Sequence, residues 1–326
     1  VGHTILYDRL VNEIATNDIC MIYHADMYLC PNALDAIENE LKEKTIVSLT
    51  RIEPPLHPDG PEKILKDFGV EPEEFNENGL LEFLDSRVPN NDVTEGIFAP
   101  WAFWKSDFKE IGGHDPLYAP QSKEDSDIFN RFQLNGVKFI QTWHGCVYHM
   151  TCRGSRRNTV DKAKNIYEDS PEWLAQNQRS TRNFIRKWGS MVMHDPLMKP
   201  IIPPKYDIGF QVENCNDQLL ALLEPWCSVI YIDEGNMSTL IKNYIENEQP
   251  NTTIDLNERV LPFNSEVSNE IIVKIDASKF TQQDFQIIQQ LPQILQDSGG
   301  VGEFELGNLM LKITQLNEHQ NELINL

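Results

Sequence analysis

The sequence predicts an α/β protein in which a mixed sheet flanked by helices is followed by a second, smaller α/β domain. Short apolar runs typical of buried strands alternate with segments of helical periodicity. This series stops at a proline-rich stretch over residues 196–204 and starts again after it. The length of 326 residues suggests about two domains. We therefore expect a first domain over residues 1–150, a basic helical extension and linker over 151–205, and an acidic second domain over 206–326.

The first domain is expected to open with a helix over residues 5–17, where Leu6, Leu10 and Ile14 recur with helical spacing. The apolar run Ile19–Tyr23 predicts a buried parallel strand. The elements expected next are a helix over 31–44, a strand over 45–50, a polar excursion with one or two short helices over 52–95, an aromatic stretch over 96–110, a helix ending at Gly136, a strand over 137–142 and a polar helix over 160–189.

The second domain alternates strands and helices in the manner of a small Rossmann-like or methyltransferase-like half. Strands are expected at 206–212, 227–233, 252–256, 270–276 and in a pair near 301–313, with helices at 216–224, 237–248 and 281–296. Asn214–Asp217 stands where a glycine-rich phosphate loop would be, so a cofactor site is not predicted. Trp226 and Tyr231 are expected in the core, and Glu224 and Asp233 at solvated ends of elements.

Composition and charge exclude several classes of protein. The chain holds 28 basic and 50 acidic side chains, a net charge of −22, which argues against a general nucleic-acid binder. The six cysteines include no CxxC pair, no apolar run is long enough to span a membrane, and no leader sequence opens the chain, so a cytoplasmic location is expected. Residues 151–205 reverse the charge, with 11 basic and 5 acidic side chains. This segment is either a local anion site or a solvated helix face.

The first candidate for chemistry is His24-Ala25-Asp26, directly after the first expected strand. Ligands of open α/β sheets bind beyond the carboxyl ends of strands. Residues i and i+2 of an extended segment face the same way, so His24 and Asp26 could reach one ion together. The alternative is a helix cap or a loop contact.

The second candidate combines Gly112-Gly113-His114-Asp115 with Glu124-Asp125 at a helix start. Adjacent glycines allow a tight turn with close backbone approach. A helix N-terminus holds a carboxylate ionised, which suits a general base. Plain helix capping by Asp125 or Asp127 is the alternative.

The third candidate is His149, which ends an expected strand and precedes Arg153, Arg156 and Arg157. A histidine in this place could share a metal with a diphosphate that the arginines hold. His144 is the competing candidate.

Taken in order, these motifs resemble the family 2 glycosyltransferases of GT-A fold. The family's DxD motif corresponds to His24-Ala25-Asp26, its GGxD element to Gly112–Asp115, and its ED motif to Glu124-Asp125. The resemblance covers roughly residues 5–150. The first aspartate of DxD is His24 here, and only about 20 residues precede that strand. The nucleotide-binding front of the fold is therefore expected upstream of Val1 or from another segment.

The resemblance implies a role for each matched residue. Asp26 and His149 would bind Mn²⁺ or Mg²⁺, with Mn²⁺ favoured by the imidazole, and Asp125 would be the general base of an inverting transfer. His24 and the three arginines would contact the nucleotide-sugar donor. The residues assigned to a glycan or other hydroxyl acceptor are Trp101, Gly113, His114, Asp115 and Glu124.

Two other functions stay open from the sequence. One is a metal-dependent hydrolase that holds zinc and a water with His24, Asp26 and His149. The other is a non-catalytic module that binds a glycan or a protein partner. Tight zinc in the purified protein would favour the first, and glycan binding without metal or nucleotide affinity would favour the second.

Overall fold

A computed structural model describes residues 2–56, 58–88, 90–151, 157–161, 166–233 and 237–325. The chain divides into two compact units. Unit 1 comprises Val1–Gln176, Met193–Ile201 and Ile324–Leu326, and unit 2 comprises Asn177–Val192 and Ile202–Leu323. Each unit is built on its own mixed sheet.

The sheet of unit 1 has seven strands. They are β1 Ile19–Ile22, β2 Met27–Leu29, β3 Thr45–Glu53, β4 Lys63–Leu65, β5 Val93–Thr94, β6 Trp101–Trp104 and β7 Lys138–His149. The main order is β1-β6-β3-β7-β2, with β4 beside β3 and β5 beside β7. The long central pair β3 and β7 runs parallel, whereas β1, β6 and β2 pair antiparallel with their neighbours. The apolar composition of β3 fits its central position, which is buried on both faces.

Helices cover this sheet on both faces. They are α1 His3–Arg9, α2 Ala33–Glu40, α3 Glu77–Ser86, α4 Lys105–Glu110 and α5 Glu124–Leu134, and a π-helical turn, Leu10–Ile14, continues α1. One core contains the aromatic side chains Trp101, Phe103, Phe129 and Phe132. A separate core packs Ala33 and Ile37 of α2 against strand residues such as Val47 and Val147.

Several expectations for this region were wrong in detail. The run at 19–23 forms a short edge strand that pairs antiparallel with β6 alone among the described strands, and Ile19 is 44% exposed. Residues 157–169 contain the hairpin strands β8 Arg157–Asp161 and β9 Ile166–Asp169, and the helix α6 Pro171–Trp188 follows them. Proline is favoured in the first helical turn, so the helix begins at residue 171.

The sheet of unit 2 has six strands in the order β12-β11-β10-β13-β15-β14. These are β10 Ile208–Glu213, β11 Val229–Ile232, β12 Val260–Pro262, β13 Ile271–Asp276, β14 Gly302–Leu306 and β15 Leu309–Ile313. Strands β10 to β13 are parallel, and the hairpin β14–β15 adds antiparallel strands. The helices are α7 Asp217–Leu223, α8 Met237–Glu248 and α9 Gln282–Ser298.

The predicted architecture of mixed α/β sheets flanked by helices is confirmed for both units. Trp226 and Tyr231 are buried as expected. The strand expected at 252–256 is absent, because Gln249 bonds the backbone of Thr252, Ile254 and Leu256 and holds this segment as a turn. Within the described residues, none of the helices combines the length and apolar character that a membrane span requires.

Candidate metal centre and active site

Three of the predicted site residues lie together at one end of the sheet of unit 1. Ligand atoms of His24, Asp26 and His149 all lie within 4.8 Å of one another. His149 Nε2 is 3.4 Å from Asp26 Oδ2, and the two imidazole rings are 6.4 Å apart between centroids. His144, the competing candidate, is exposed and does not belong to this group.

Strand pairing explains why residues so distant in sequence meet. Strands β2 and β7 are antiparallel with Met27 opposite His149, so Asp26 lies at the end of β7. The backbone N–H of Met150 donates to the Asp26 carbonyl at 2.9 Å, and that of Met27 donates to the His24 carbonyl at 3.2 Å. The backbone therefore fixes both ligand segments before any ion binds.

Electrostatics in the group follow from these contacts. Burial opposes a charge on His149, but its hydrogen bonds to Asp26 and Glu53 outweigh burial and raise the His149 pKa above its ordinary value. The same pairing lowers the pKa of Asp26 against the effect of burial. Burial lowers the pKa of His24, which keeps that imidazole neutral. A cation bound beside Asp26 would meet the same negative charge that raises the His149 pKa.

The N-terminus of α5 lies near the His24–Asp26–His149 group. The charge of Asp125, in its first turn, reaches both His24 and Tyr7. Glu124 is nearly buried, and burial together with the Asp125 charge raises its pKa to about 8. At neutral pH Glu124 is therefore mostly protonated.

A buried ion pair between Arg131 and Asp127 holds the turn at Gly112–Gly113, which precedes α5. Arg131 has no exposed surface, pairs with Asp127 at 2.8 Å, and donates to the carbonyls of Ile111 and Gly113, each at 2.7 Å. Gly113 has φ +77°, and a Cβ there would lie 2.5 Å from a carboxylate oxygen of Asp8. Both constraints favour glycine at this position.

Three of the residues predicted to bind an acceptor, Trp101, His114 and Asp115, are held by contacts within unit 1. Trp101 has no exposed surface and packs against aromatic core residues, so it offers no face on which a sugar could stack, which corrects that expectation. His114 is 2% exposed, and its Nδ1 lies 2.8 Å from Asp8 Oδ1. Asp115 caps a short 3-10 helix by accepting from Leu117 N–H at 2.9 Å.

The structure describes only part of the segment that contains the predicted donor arginines. Arg153 and Arg156 lie outside the described residues, and for Arg157 only the backbone of β8 is described. Their assignment to the diphosphate stays a prediction.

Three residues at the site were missed from the sequence. Glu53 contacts His149 Nδ1 at 2.9 Å. Burial, together with the negative charges of Asp125, Glu124 and Asp26, raises the pKa of Tyr7 to about 12. His3 lies one helical turn before Tyr7 and approaches Glu124 to 4.0 Å. The i, i+4 spacing of His3 and Tyr7 was the available signal.

No family model and no curated protein matches this chain. Among solved structures it is similar to GalNAc-T7, crystallised with UDP, GalNAc and Mn²⁺, at 12% identity and a TM-score of 0.34. The similar region covers 58% of this chain and 38% of the GalNAc-T7 chain. It therefore spans well under two thirds of the length of GalNAc-T7. A likeness this low does not assign a family.

Proposed function

We propose that this chain is a metal-dependent glycosyltransferase, which moves a sugar from a nucleotide-sugar donor to an acceptor hydroxyl. The observation that supports this most is the meeting of His24, Asp26 and His149 within 4.8 Å, at a site that the charge of Asp125 also reaches. The motifs that resemble family 2 glycosyltransferases thus supply both a ligand set and a candidate base in one place.

The set of metal-ligating atoms is compatible with Mn²⁺. Two imidazole nitrogens and a carboxylate oxygen suit a first-row transition ion, whereas Mg²⁺ prefers oxygen ligands alone. In the proposed enzyme His24, Asp26 and His149 hold the ion. When bound, it would act as a Lewis acid that neutralises the departing nucleoside diphosphate. Arg153, Arg156 and Arg157 are proposed to bind the same phosphates.

Asp125 is the proposed general base, and the transfer is proposed to invert the anomeric configuration. The N-terminal end of α5 stabilises its negative charge. Because Glu124 is protonated at neutral pH, it can donate a hydrogen bond to an acceptor oxygen and adds no second negative charge. Asp125 would take the proton of the acceptor hydroxyl as that oxygen attacks the sugar.

The test measures metal binding and turnover separately. Mn²⁺ binding is measured by calorimetry. Sugar transfer and donor hydrolysis are measured with a panel of UDP-, GDP- and CMP-sugars as donors. Asp26→Asn should weaken Mn²⁺ binding. Asp125→Asn should leave Mn²⁺ binding unchanged and lower kcat by about 10²–10⁴-fold, the range for loss of a general base. Asp35→Asn on α2, an exposed carboxylate, is the matched control and should change neither.

Two results would contradict the proposal. One is a wild-type protein that binds no divalent ion. The other is donor turnover in Asp125→Asn equal to that of the wild type, since the proposed base would then be unnecessary. Glycan binding without metal or nucleotide affinity would favour the non-catalytic module.

A zinc hydrolase is the second candidate, favoured by the ligand set itself. Two histidines and one carboxylate are also ligands of catalytic zinc, with a water in the fourth position. Elemental analysis of the purified protein separates the two candidates. Stoichiometric zinc that resists dialysis would support the hydrolase, and weak, exchangeable Mn²⁺ would support the glycosyltransferase.

A further inference from the structure

Glu53 is a buried carboxylate behind the metal centre. It is the last residue of β3 and is only 1% exposed. Strands β3 and β7 are parallel with Ile52 opposite Tyr148, so the next residues along, Glu53 and His149, are brought side by side. Glu53 Oε1 lies 2.9 Å from His149 Nδ1, the ring nitrogen on the side away from Asp26.

Two cations and a second carboxylate surround Glu53. Arg51 Nη1 lies 2.8 Å from its Oε1, and Lys63 Nζ lies 3.5 Å from its Oε2. Glu62 is 3.6 Å from each of these cations, so the four charges cancel. The Arg51 guanidinium is held in place above the Phe98 ring at 3.8 Å. This surrounding charge stabilises Glu53 as an anion despite burial.

The hydrogen bond determines which nitrogen of His149 is available. When Nδ1–H donates to Glu53, Nε2 is the remaining ring nitrogen, and it is the one that faces Asp26. A carboxylate in this place fixes the tautomer and the ring orientation of a ligating histidine and increases its basicity.

We propose that Glu53 is a positioning residue, which acts through His149 to set the affinity of the site for a divalent cation. The inference rests on the metal centre of the proposed function and is independent of sugar transfer. Glu53 itself contacts neither the ion nor the substrate.

The test compares Mn²⁺ affinity in the full-length wild type, Glu53→Gln, Glu53→Ala and Glu62→Gln. Glu62 is the matched control because it is buried and contacts the same Arg51 and Lys63, whereas no contact to His149 is found for it. We expect Glu53→Ala to weaken Mn²⁺ binding by about 10–100-fold, the usual cost of losing such a partner. Glu53→Gln keeps a hydrogen-bond acceptor and should fall between Glu53→Ala and the wild type. Glu62→Gln should lose much less Mn²⁺ affinity than Glu53→Ala, because Glu62 contacts Arg51 and Lys63 rather than the metal ligand.

A spectroscopic measurement separates positioning from general loss of structure. Co²⁺ substituted at the site should give a visible absorption spectrum that changes in Glu53→Gln and not in Glu62→Gln, while far-UV circular dichroism stays the same. If Glu53→Ala does not fold, Glu53→Gln alone carries the comparison.

The outcomes are distinguishable. A wild type that binds no Mn²⁺ or Co²⁺ would overturn the metal centre and the proposed function with it. If both Glu53 variants bind the ion as tightly as the wild type does, the positioning role alone is overturned. Equal losses in Glu53→Gln and Glu62→Gln would also overturn it, because the cluster would then act only through structure.

Discussion

Unit 1 and unit 2 each bury a cluster of charged side chains, but only one of the two clusters is saturated with hydrogen bonds. In unit 2, Glu224 has no exposed surface, and both of its carboxylate oxygens are bonded. Arg186 donates to Oε2 at 2.8 and 2.9 Å, Tyr244 donates to the same oxygen at 2.9 Å, and Arg259 donates to Oε1 at 2.7 Å. Arg186 also bonds Asn183 and Glu248.

The cluster in unit 1 is different. Glu53 Oε2 and Glu124 Oε2 are buried without a hydrogen-bond partner, and within the described residues every such side-chain atom lies at or before residue 151. Buried polar groups are normally bonded, so unbonded ones mark strain or a place where something binds. Both oxygens of Glu224 are occupied by hydrogen bonds within unit 2, whereas Glu53 Oε2 faces Lys63 Nζ at 3.5 Å without a hydrogen bond.

The largest expected effect is on the stability of unit 2. Glu224→Ala leaves buried Arg186 and partly buried Arg259 without their shared partner, which should cost about 3–5 kcal/mol. Urea unfolding is followed by pulsed alkylation and mass spectrometry, with buried Cys227 as the probe of unit 2 and buried Cys146 as the probe of unit 1. The Cys227 midpoint should fall sharply. Glu246→Gln on α8, where the side chain is 63% exposed, should leave it almost unchanged.

The sequence predicted that His24, Asp26 and His149 lie close together, but it did not predict the network around Glu224. Asp26 and His149 were found because each follows an apolar run and both have ligand chemistry. Glu224 was expected at a solvated end and is instead fully buried, since its partners come from α6 and from the segment before β12. No local pattern in the sequence signals partners 35 or 38 residues away.

Glu53 and Trp101 illustrate the same limit. Glu53 contributes to the site only because β3 and β7 pair in parallel with one register, which is a long-range property. Trp101 has a residue type suited to sugar stacking, but its β6 face turns into the core. Residue type and spacing predicted which chemistry is present, and strand pairing decided which side chains take part.

The second prediction concerns binding without stability. Asp26→Asn removes a proposed metal ligand. Mn²⁺ affinity should therefore fall by more than the roughly 10–100-fold loss expected for Glu53→Ala, which removes only a partner of a ligand. In metal-free buffer the free energy of unfolding reported by Cys146 should fall by only about 0.2–1 kcal/mol, the range for an ion pair open to solvent, because Asp26→Asn still removes the contact to His149. Unchanged Mn²⁺ affinity, or a large loss of metal-free stability, would make this cluster resemble that of unit 2.

The third prediction uses opposite pH dependences. The Glu124 pKa of about 8 lies above its ordinary 4.5, so the folded protein binds more protons than the unfolded one between these values. Stability of unit 1 should therefore fall as pH rises towards 8. The Glu224 pKa of about 2 lies below 4.5, so its contribution is complete at neutral pH and is lost only as pH falls from 4.5 towards 2.

Glu124→Gln tests this assignment. The variant cannot ionise, so at pH 9 it should be more stable in unit 1 than the wild type by about 1–3 kcal/mol, the cost of a buried group without its partners. The Cys146 midpoint is measured from pH 6 to pH 9 in both proteins. The Cys227 midpoint serves as the control and should not differ between them. Parallel pH profiles in the two proteins would mean that Glu124 ionises freely in the folded state.

The smallest expected effect lies on the surface, where the two units should not differ. Arg9–Glu13 in unit 1 and Lys242–Glu246 in unit 2 are exposed i, i+4 pairs with N–O distances of 3.3 and 3.7 Å. Glu13→Gln and Glu246→Gln should each cost about 0.3–0.5 kcal/mol at low salt and less at high salt, because water and ions screen such pairs. If one unit lost over 1 kcal/mol more than the other, net charge rather than burial would explain the contrast between the clusters. Equal, small losses of stability in the two units would leave desolvation as the cause of the contrast between the buried clusters. The surface pairs have the same chemistry as those clusters and differ from them only in burial.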